Sequence, residues 1–136
     1  FCAIKGRGAF LNGRRISVST TVELNRSLLA SGFAYDIRET TDTNFPEFCR
    51  LTALTQGVRR AGSAALDLAY VACGRVDGYW ERGIKPWDVA AGVLIVEEAG
   101  GKVSGYEGEF DLYSGKVLAT NGKIHGQLGK ALLLAS

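Results

Sequence analysis

The sequence predicts an α/β fold, and three observations carry that prediction. Runs with strand patterning alternate with runs at helical spacing along the whole chain. The pairs Asn12-Gly13, Asp77-Gly78 and Asn121-Gly122 mark turns between them. From Val89 to Val96 the chain is apolar on every side, as expected of a helix covered by other layers. Composition fits one ordinary globular domain, with 46% of the 136 residues hydrophobic and 22% charged. A chain of this length buries about two-thirds of its unfolded surface. The net charge of +2, with basic residues paired at Arg14-Arg15 and Arg59-Arg60 and never in a tract, gives no case for nucleic acid or an anionic membrane. No apolar run has transmembrane length.

The elements are expected in this order. Phe1–Lys5 reads as a strand with Gly6-Arg7-Gly8 as its turn. Gly6 and Gly8 do not make a dinucleotide cradle, because Leu11 stands where a third glycine belongs and no helical pattern follows. Asn12-Gly13 is a hairpin turn leading into the alternating strand Arg15–Ser19. Ser27–Phe33 is a buried strand, and residues 37–45 form a polar loop. Pro46 opens a helix to about Gln56, with Phe48, Leu51, Thr52 and Thr55 at helical spacing. Val58–Ala61 is a short strand. Ser63 then caps a second helix whose apolar stripe is Leu66, Ala69, Tyr70 and Cys73, closed by Gly74. Tyr79–Glu81, Lys102–Ser104 and Val117–Thr120 are further strands, with a polar turn at Glu107-Gly108-Glu109. Lys123–Leu134 is a terminal helix on which His125, the one histidine, is expected at the surface without a role.

The stretch Gly78–Gly101 concentrates the chemistry. Pro86 suits a first helical turn, where its missing N–H has no intrahelical partner. Asp88 follows at the positive end of the apolar helix, which favours its ionised form. Taken alone, Asp88 reads as a cap or first-turn acid, or as a carboxylate holding a cation with Glu81 seven residues upstream. Gly62-Ser63-Ala64 reads as an ordinary capped helix start or as a ring of free backbone N–H groups for an anion or a hydroxyl. Gly92, in mid-helix, costs about 1 kcal/mol relative to alanine and implies close backbone packing. The cysteines Cys2, Cys49 and Cys73 are odd in number and lack metal-ligand spacing, so they are expected to be reduced, mostly packed thiols of a cytoplasmic protein. The chain has no methionine and opens inside the apolar run Phe1-Cys2-Ala3-Ile4, which reads as part of a longer polypeptide.

The run Glu81-Arg82-Gly83-Ile84-Lys85-Pro86-Trp87-Asp88-Val89-Ala90-Ala91-Gly92, followed by Glu98-Ala99-Gly100-Gly101, closely resembles the C-terminal signature of the inositol monophosphatase family. Lys5–Ser19 resembles that family's mid-chain segment, and Gly32, Phe33, Tyr35 and Asp36 match its Gly-Phe-x-Tyr-Asp. The resemblance extends from about residue 1 to residue 134 and corresponds to the family's C-terminal half. It implies half of a layered αβαβα sandwich, one mixed sheet with its covering helices. It also implies Mg²⁺-dependent hydrolysis of a phosphate monoester, inositol 1-phosphate first. Fructose 1,6-bisphosphate, histidinol phosphate and a nucleotide bisphosphate are the alternatives, beside a non-catalytic assembly module.

By resemblance, Asp88 is the metal ligand from this half and also borders the substrate. Glu81 accepts hydrogen bonds from sugar hydroxyls, Gly62, Ser63 and Ala64 form the pocket wall, and Trp87 packs beside Asp88. The implied partners are a small phosphorylated polyol or sugar, the N-terminal half of the same protein, and a second copy in a homodimer. The family's remaining metal ligands and its water-activating threonine belong to a glutamate-rich segment and an Asp-Pro-x-Asp-Gly-Thr motif, neither of which occurs in these residues.

Overall fold

A computed structural model describes residues 1–135. Strands β1 (Cys2–Ala3), β2 (Ala9–Leu11) and β3 (Arg14–Ile16) form an antiparallel meander. Asn12 and Gly13 take φ values of 51° and 78°, the left-handed pair that a tight two-residue hairpin requires. The strand expected to run to Ser19 stops at Ile16, since the Val18 amide instead donates to the Ala99 carbonyl at 3.1 Å. The Gly6-Arg7-Gly8 turn does cradle an anion, but the protein's own. The Gly8 amide donates to Glu98 Oε1 at 2.8 Å, and with the amides of Gly6 and Arg7 it holds that carboxyl below its usual range.

The second sheet contains β4 (Leu28–Ser31), β5 (Gly57–Arg59), β6 (Gly78–Arg82), β7 (Lys102–Ser104) and β8 (Lys116–Thr120), in the order β5-β4-β6-β8-β7. Strand β4 is parallel to β5 and β6, while β8 is antiparallel to β6 and β7. Helices α1 (Phe45–Leu54) and α4 (His125–Ala135) cover one face through Leu51, Leu128 and Leu132, with Ile124 just before α4, against Leu29, Trp80 and Leu118. Helices α2 (Ala64–Ala72) and α3 (Pro86–Glu98) cover the other through Leu68, Val71, Val89, Val93 and Val96 against Ala30, Tyr79, Val117 and Ala119. The expected mixed sheet with covering helices is therefore present, and the hairpin meander adds a second sheet where one was expected.

Four packing expectations are corrected. Helix α2 buries Leu68, Ala69, Val71 and Ala72, while Leu66 is 47% exposed, because α2 packs against both the sheet and α3 and not along a single stripe. Helix α3 is not buried on all sides, for Ala90 and Ala91 are exposed and Trp87 is 78% exposed. Trp87 does not pack beside Asp88, since adjacent helical residues diverge around the axis. Cys2 and Cys49 are exposed and only Cys73 is partly covered, since β1 is an edge strand and Cys49 lies on the outer side of α1. Gly92 meets its expectation, as a Cβ there would lie 2.6 Å from the Leu68 Cβ.

His125 is also corrected, being only 8% exposed. The Gly122 amide donates to Thr120 Oγ1 at 2.9 Å, and that hydroxyl lies 2.9 Å from His125 Nδ1. His125 Nε2 lies 2.7 Å from Ser104 Oγ, which donates to the Gly105 carbonyl. With the Ser104 proton committed to Gly105, Nε2 carries the ring proton and Nδ1 accepts from Thr120. The ring pins the start of α4 to β7 and β8, and burial, with Lys102 adding, pulls its pKa from 6.5 down to about 4. An unfolded histidine takes up a proton near 6.5, whereas the folded ring resists it. Stability is thus complete above about pH 6.5 and is lost as pH falls toward 4. His125→Gln should unfold with a visibly shallower dependence on pH between 7 and 4.5 than the parent chain. Identical slopes in urea titrations across that range would rule out the neutral ring as the acid-sensitive pin.

Candidate active site

Strand β6 has the alternation of a sheet buried on both faces. Trp80 and Arg82 face α1, where Arg82 Nη1 bonds Glu47 Oε1 at 2.7 Å and Nη2 bonds Asp42 Oδ1 at 2.7 Å. Tyr79 and Glu81 face α2 and α3. There a cavity of about 400 Å³ opens, lined by Gly62, Ser63 and Ala64 at the start of α2, by Glu81, and by Asp88 in the first turn of α3. The fold thus gathers the five residues singled out from the sequence around one cavity.

Glu81 is 6% exposed, and its Oε1 accepts a 2.8 Å hydrogen bond from the Tyr79 hydroxyl. Burial and the nearby Asp88 charge push its pKa up, against the Tyr79 hydrogen bond and Arg60. The same carboxylate gives a physical reason for Gly32, the first residue of the Gly-Phe-x-Tyr-Asp match. A Cβ at Gly32 would collide with Glu81 Oε1. Behind this contact, the buried Asn44 donates to Ser31 Oγ and the Gly32 carbonyl, each at 2.7 Å, and accepts from Trp80 Nε1 at 2.7 Å. Those bonds tie the end of β4 to β6.

Asp88 is not the helix cap. Lys85 occupies that position, and Asp88 Oδ1 meets the Tyr35 hydroxyl at 3.3 Å. The Asp88 charge raises the pKa of that phenol. Asp88 Oδ2 is buried and has no hydrogen-bond partner. A carboxylate oxygen left open in this way fits a hard cation, which takes oxygen ligands. No cluster of three or more acidic, histidine or cysteine side chains among the described residues could complete a coordination shell. Ser63 is the expected cap of α2, its Oγ accepting from the Leu66 amide at 3.3 Å.

Two lining residues escaped the sequence reading. Arg60 is the cation among the lining residues, its guanidinium 5.3 Å from the centre of the Phe33 ring. Asp67, 3% exposed in the first turn of α2, has its pKa raised to about 7 by burial and then by the Glu81 charge. The helical pattern alone offered no signal for it, since it sits among the apolar residues of α2.

A conserved-sequence profile of the inositol monophosphatase family matches residues 1–134, and the chain belongs to that family. It is 64% identical over 133 residues to the inositol-1-monophosphatase of Synechocystis sp., covering 97% of this chain and 46% of that one. It is 48% identical over 126 residues to the Nus factor SuhB of Pseudomonas aeruginosa, covering 90% of this chain and 46% of that one. The solved inositol monophosphatase of Anabaena (Nostoc) sp. superposes with a TM-score of 0.95 at 63% identity, over 97% of this chain and 53% of that structure. The chain thus spans about half the length of the relatives it matches.

The Gly32–Glu81 contact yields a prediction independent of activity. Gly32→Ala should lower stability by about 1–3 kcal/mol, the usual cost of overpacking. In a Glu81→Ala background the same change should cost almost nothing, because the colliding carboxylate is gone. Denaturant midpoints for the four proteins of this cycle measure it, and equal costs in both backgrounds would refute the contact.

Proposed function

We propose that the complete polypeptide hydrolyses a phosphate monoester of a small polyol, inositol 1-phosphate before other esters, with Mg²⁺. One observation carries this reading: Asp88 presents a buried, unpartnered oxygen beside a cavity whose inner wall holds a carboxylate fixed on a central strand. The identity to the inositol-1-monophosphatase of Synechocystis supports the choice of ester. Fructose 1,6-bisphosphate and the other metabolite phosphates named above are the alternative substrates.

In this reading Asp88, with its unpartnered oxygen, would hold a divalent cation, whose other ligands would come from outside these residues. Such an ion would supply charge neutralisation of the phosphate and an acidified water. Glu81 orients the substrate by accepting a hydroxyl proton, and Tyr79 fixes the carboxylate that does so. Gly62, Ser63 and Ala64 form the wall against which the ring rests. The free cysteines suit a reducing compartment, for which we propose the cytoplasm. A second reading, a role in assembly beside or without catalysis, is favoured by the Pseudomonas relative being named a Nus factor.

Asp88→Asn, made in the complete polypeptide, keeps the side chain's shape and removes its charge. It should fold normally and release inorganic phosphate from inositol 1-phosphate orders of magnitude more slowly, with only partial recovery at high Mg²⁺. Undiminished turnover at ordinary Mg²⁺ would leave Asp88 a structural acid. Glu81→Gln should raise KM for inositol 1-phosphate about ten- to a hundredfold, the worth of a charge-assisted hydrogen bond of roughly 1.5–3 kcal/mol. KM for an aryl phosphate should barely change, and equal shifts for both esters would remove Glu81 from substrate selection.

A further inference from the structure

The cavity contains one acid more than the reading above uses. Asp67 is 3% exposed and lines the same cavity as Glu81 and Asp88, yet no donor among the described residues bonds its carboxyl. Buried polar groups are ordinarily paired, so an unpaired one facing a cavity is completed by water or by a ligand that displaces it. Asp67 and Glu81 reach the cavity from different elements, the first turn of α2 and the middle of the sheet. The Glu81 charge adds to burial in raising the pKa of Asp67.

We propose that Asp67 is a second polyol-binding group, which together with Glu81 grips two neighbouring hydroxyls of the substrate. This rests on the phosphatase reading and deepens it by naming the feature selected, a vicinal diol in place of a lone hydroxyl.

Charge sets the orientation. Three carboxyls and a single guanidinium, Arg60, line the cavity. Arg60 offsets part of the Glu81 charge, but two carboxyls against one cation still make the Asp67–Glu81 end better suited to uncharged hydroxyls than to a phosphate. The phosphate is left to the Asp88 end, where a cation offsets its charge. Glu81 already accepts from Tyr79 and is suited to accept from one hydroxyl. Asp67, with its pKa near 7, can donate to the neighbouring hydroxyl as well as accept from it. A carboxyl with both capacities complements a diol, in which each oxygen also donates and accepts.

The test uses the complete polypeptide with Asp67→Leu, which has nearly the same shape and no hydrogen-bonding atom, and Asp67→Asn, which keeps a donor and an acceptor. Each is assayed on inositol 1-phosphate and on an aryl phosphate lacking hydroxyls. Asp67→Leu should be at least as heat-stable as the parent, since an unpaired buried acid is replaced by an apolar group. Its KM for inositol 1-phosphate should rise about ten- to a hundredfold, with kcat and the aryl phosphate kinetics nearly unchanged. Asp67→Asn should retain most of the affinity for inositol 1-phosphate, and Asp67→Leu combined with Glu81→Gln should lose less than the product of the two single effects. An Asp67→Leu variant that unfolds, that loses both substrates equally, or that loses neither overturns the proposal. Parent protein that hydrolyses neither ester overturns the phosphatase reading itself, and the proposal with it. A parent active on both esters with unselective variants overturns this proposal alone.

Discussion

Glu81 places a carboxylate on the central strand of a five-stranded sheet, with a neighbouring strand so close that residue 32 has no room for a Cβ. Removing such a group from water costs several kcal/mol unless hydrogen bonds replace what it loses. One oxygen receives the Tyr79 hydroxyl from two residues away on the same strand face. The cavity between the sheet and the starts of α2 and α3 completes the environment. Moving the carboxylate would mean moving the strand, so the geometry of the cavity and the packing of the sheet form one constraint.

The opposite face of the same strand keeps that constraint rigid. Trp80 is fully buried among Leu118, Leu128 and their neighbours, and its indole N–H bonds the buried Asn44. Arg82 is held between Glu47 and Asp42. Asn44 and Ser31 then connect the start of α1 to both central strands. The Asn44, Ser31 and Trp80 bonds satisfy one another and so specify one arrangement, whereas Glu47 Oε2 and Arg82 Nε are buried without a hydrogen-bond partner. Alternation along a single strand thus gives one face to rigidity and the other to the cavity.

Much of this was legible in the sequence because its signals are local. Asn12-Gly13 dictates its turn, Ser63 its helix cap, and Gly92 a close helix contact, each from one or two residue types. That Gly62, Ser63, Ala64, Glu81 and Asp88 border one cavity was expected from the family resemblance, not from periodicity. What escaped is what depends on residues distant in sequence. The sequence alone does not reveal that Gly32 faces Glu81, that Asp67 shares its cavity, or that His125 is clasped by Ser104 and Thr120. The apolar run in α3 overstated burial for a different reason, since alanine and tryptophan are tolerated at a surface where leucine and valine patterns mark a core.

Asp88 leaves one buried carboxylate oxygen without a hydrogen-bond partner, and no cluster of three or more acidic, histidine or cysteine side chains that could hold a metal ion lies among the described residues. Mg²⁺ gives up hydration water reluctantly and is held weakly by a single carboxylate. The proposed cation site is therefore one completed from outside these residues, which span about half the length of the relatives they match. Release of inorganic phosphate from inositol 1-phosphate at saturating Mg²⁺ tests this most directly, measured for the 136-residue chain alone and after mixing with a separately made N-terminal half. The expected result is no turnover by the chain alone and turnover on mixing. Hydrolysis by the chain alone would contradict a shared site.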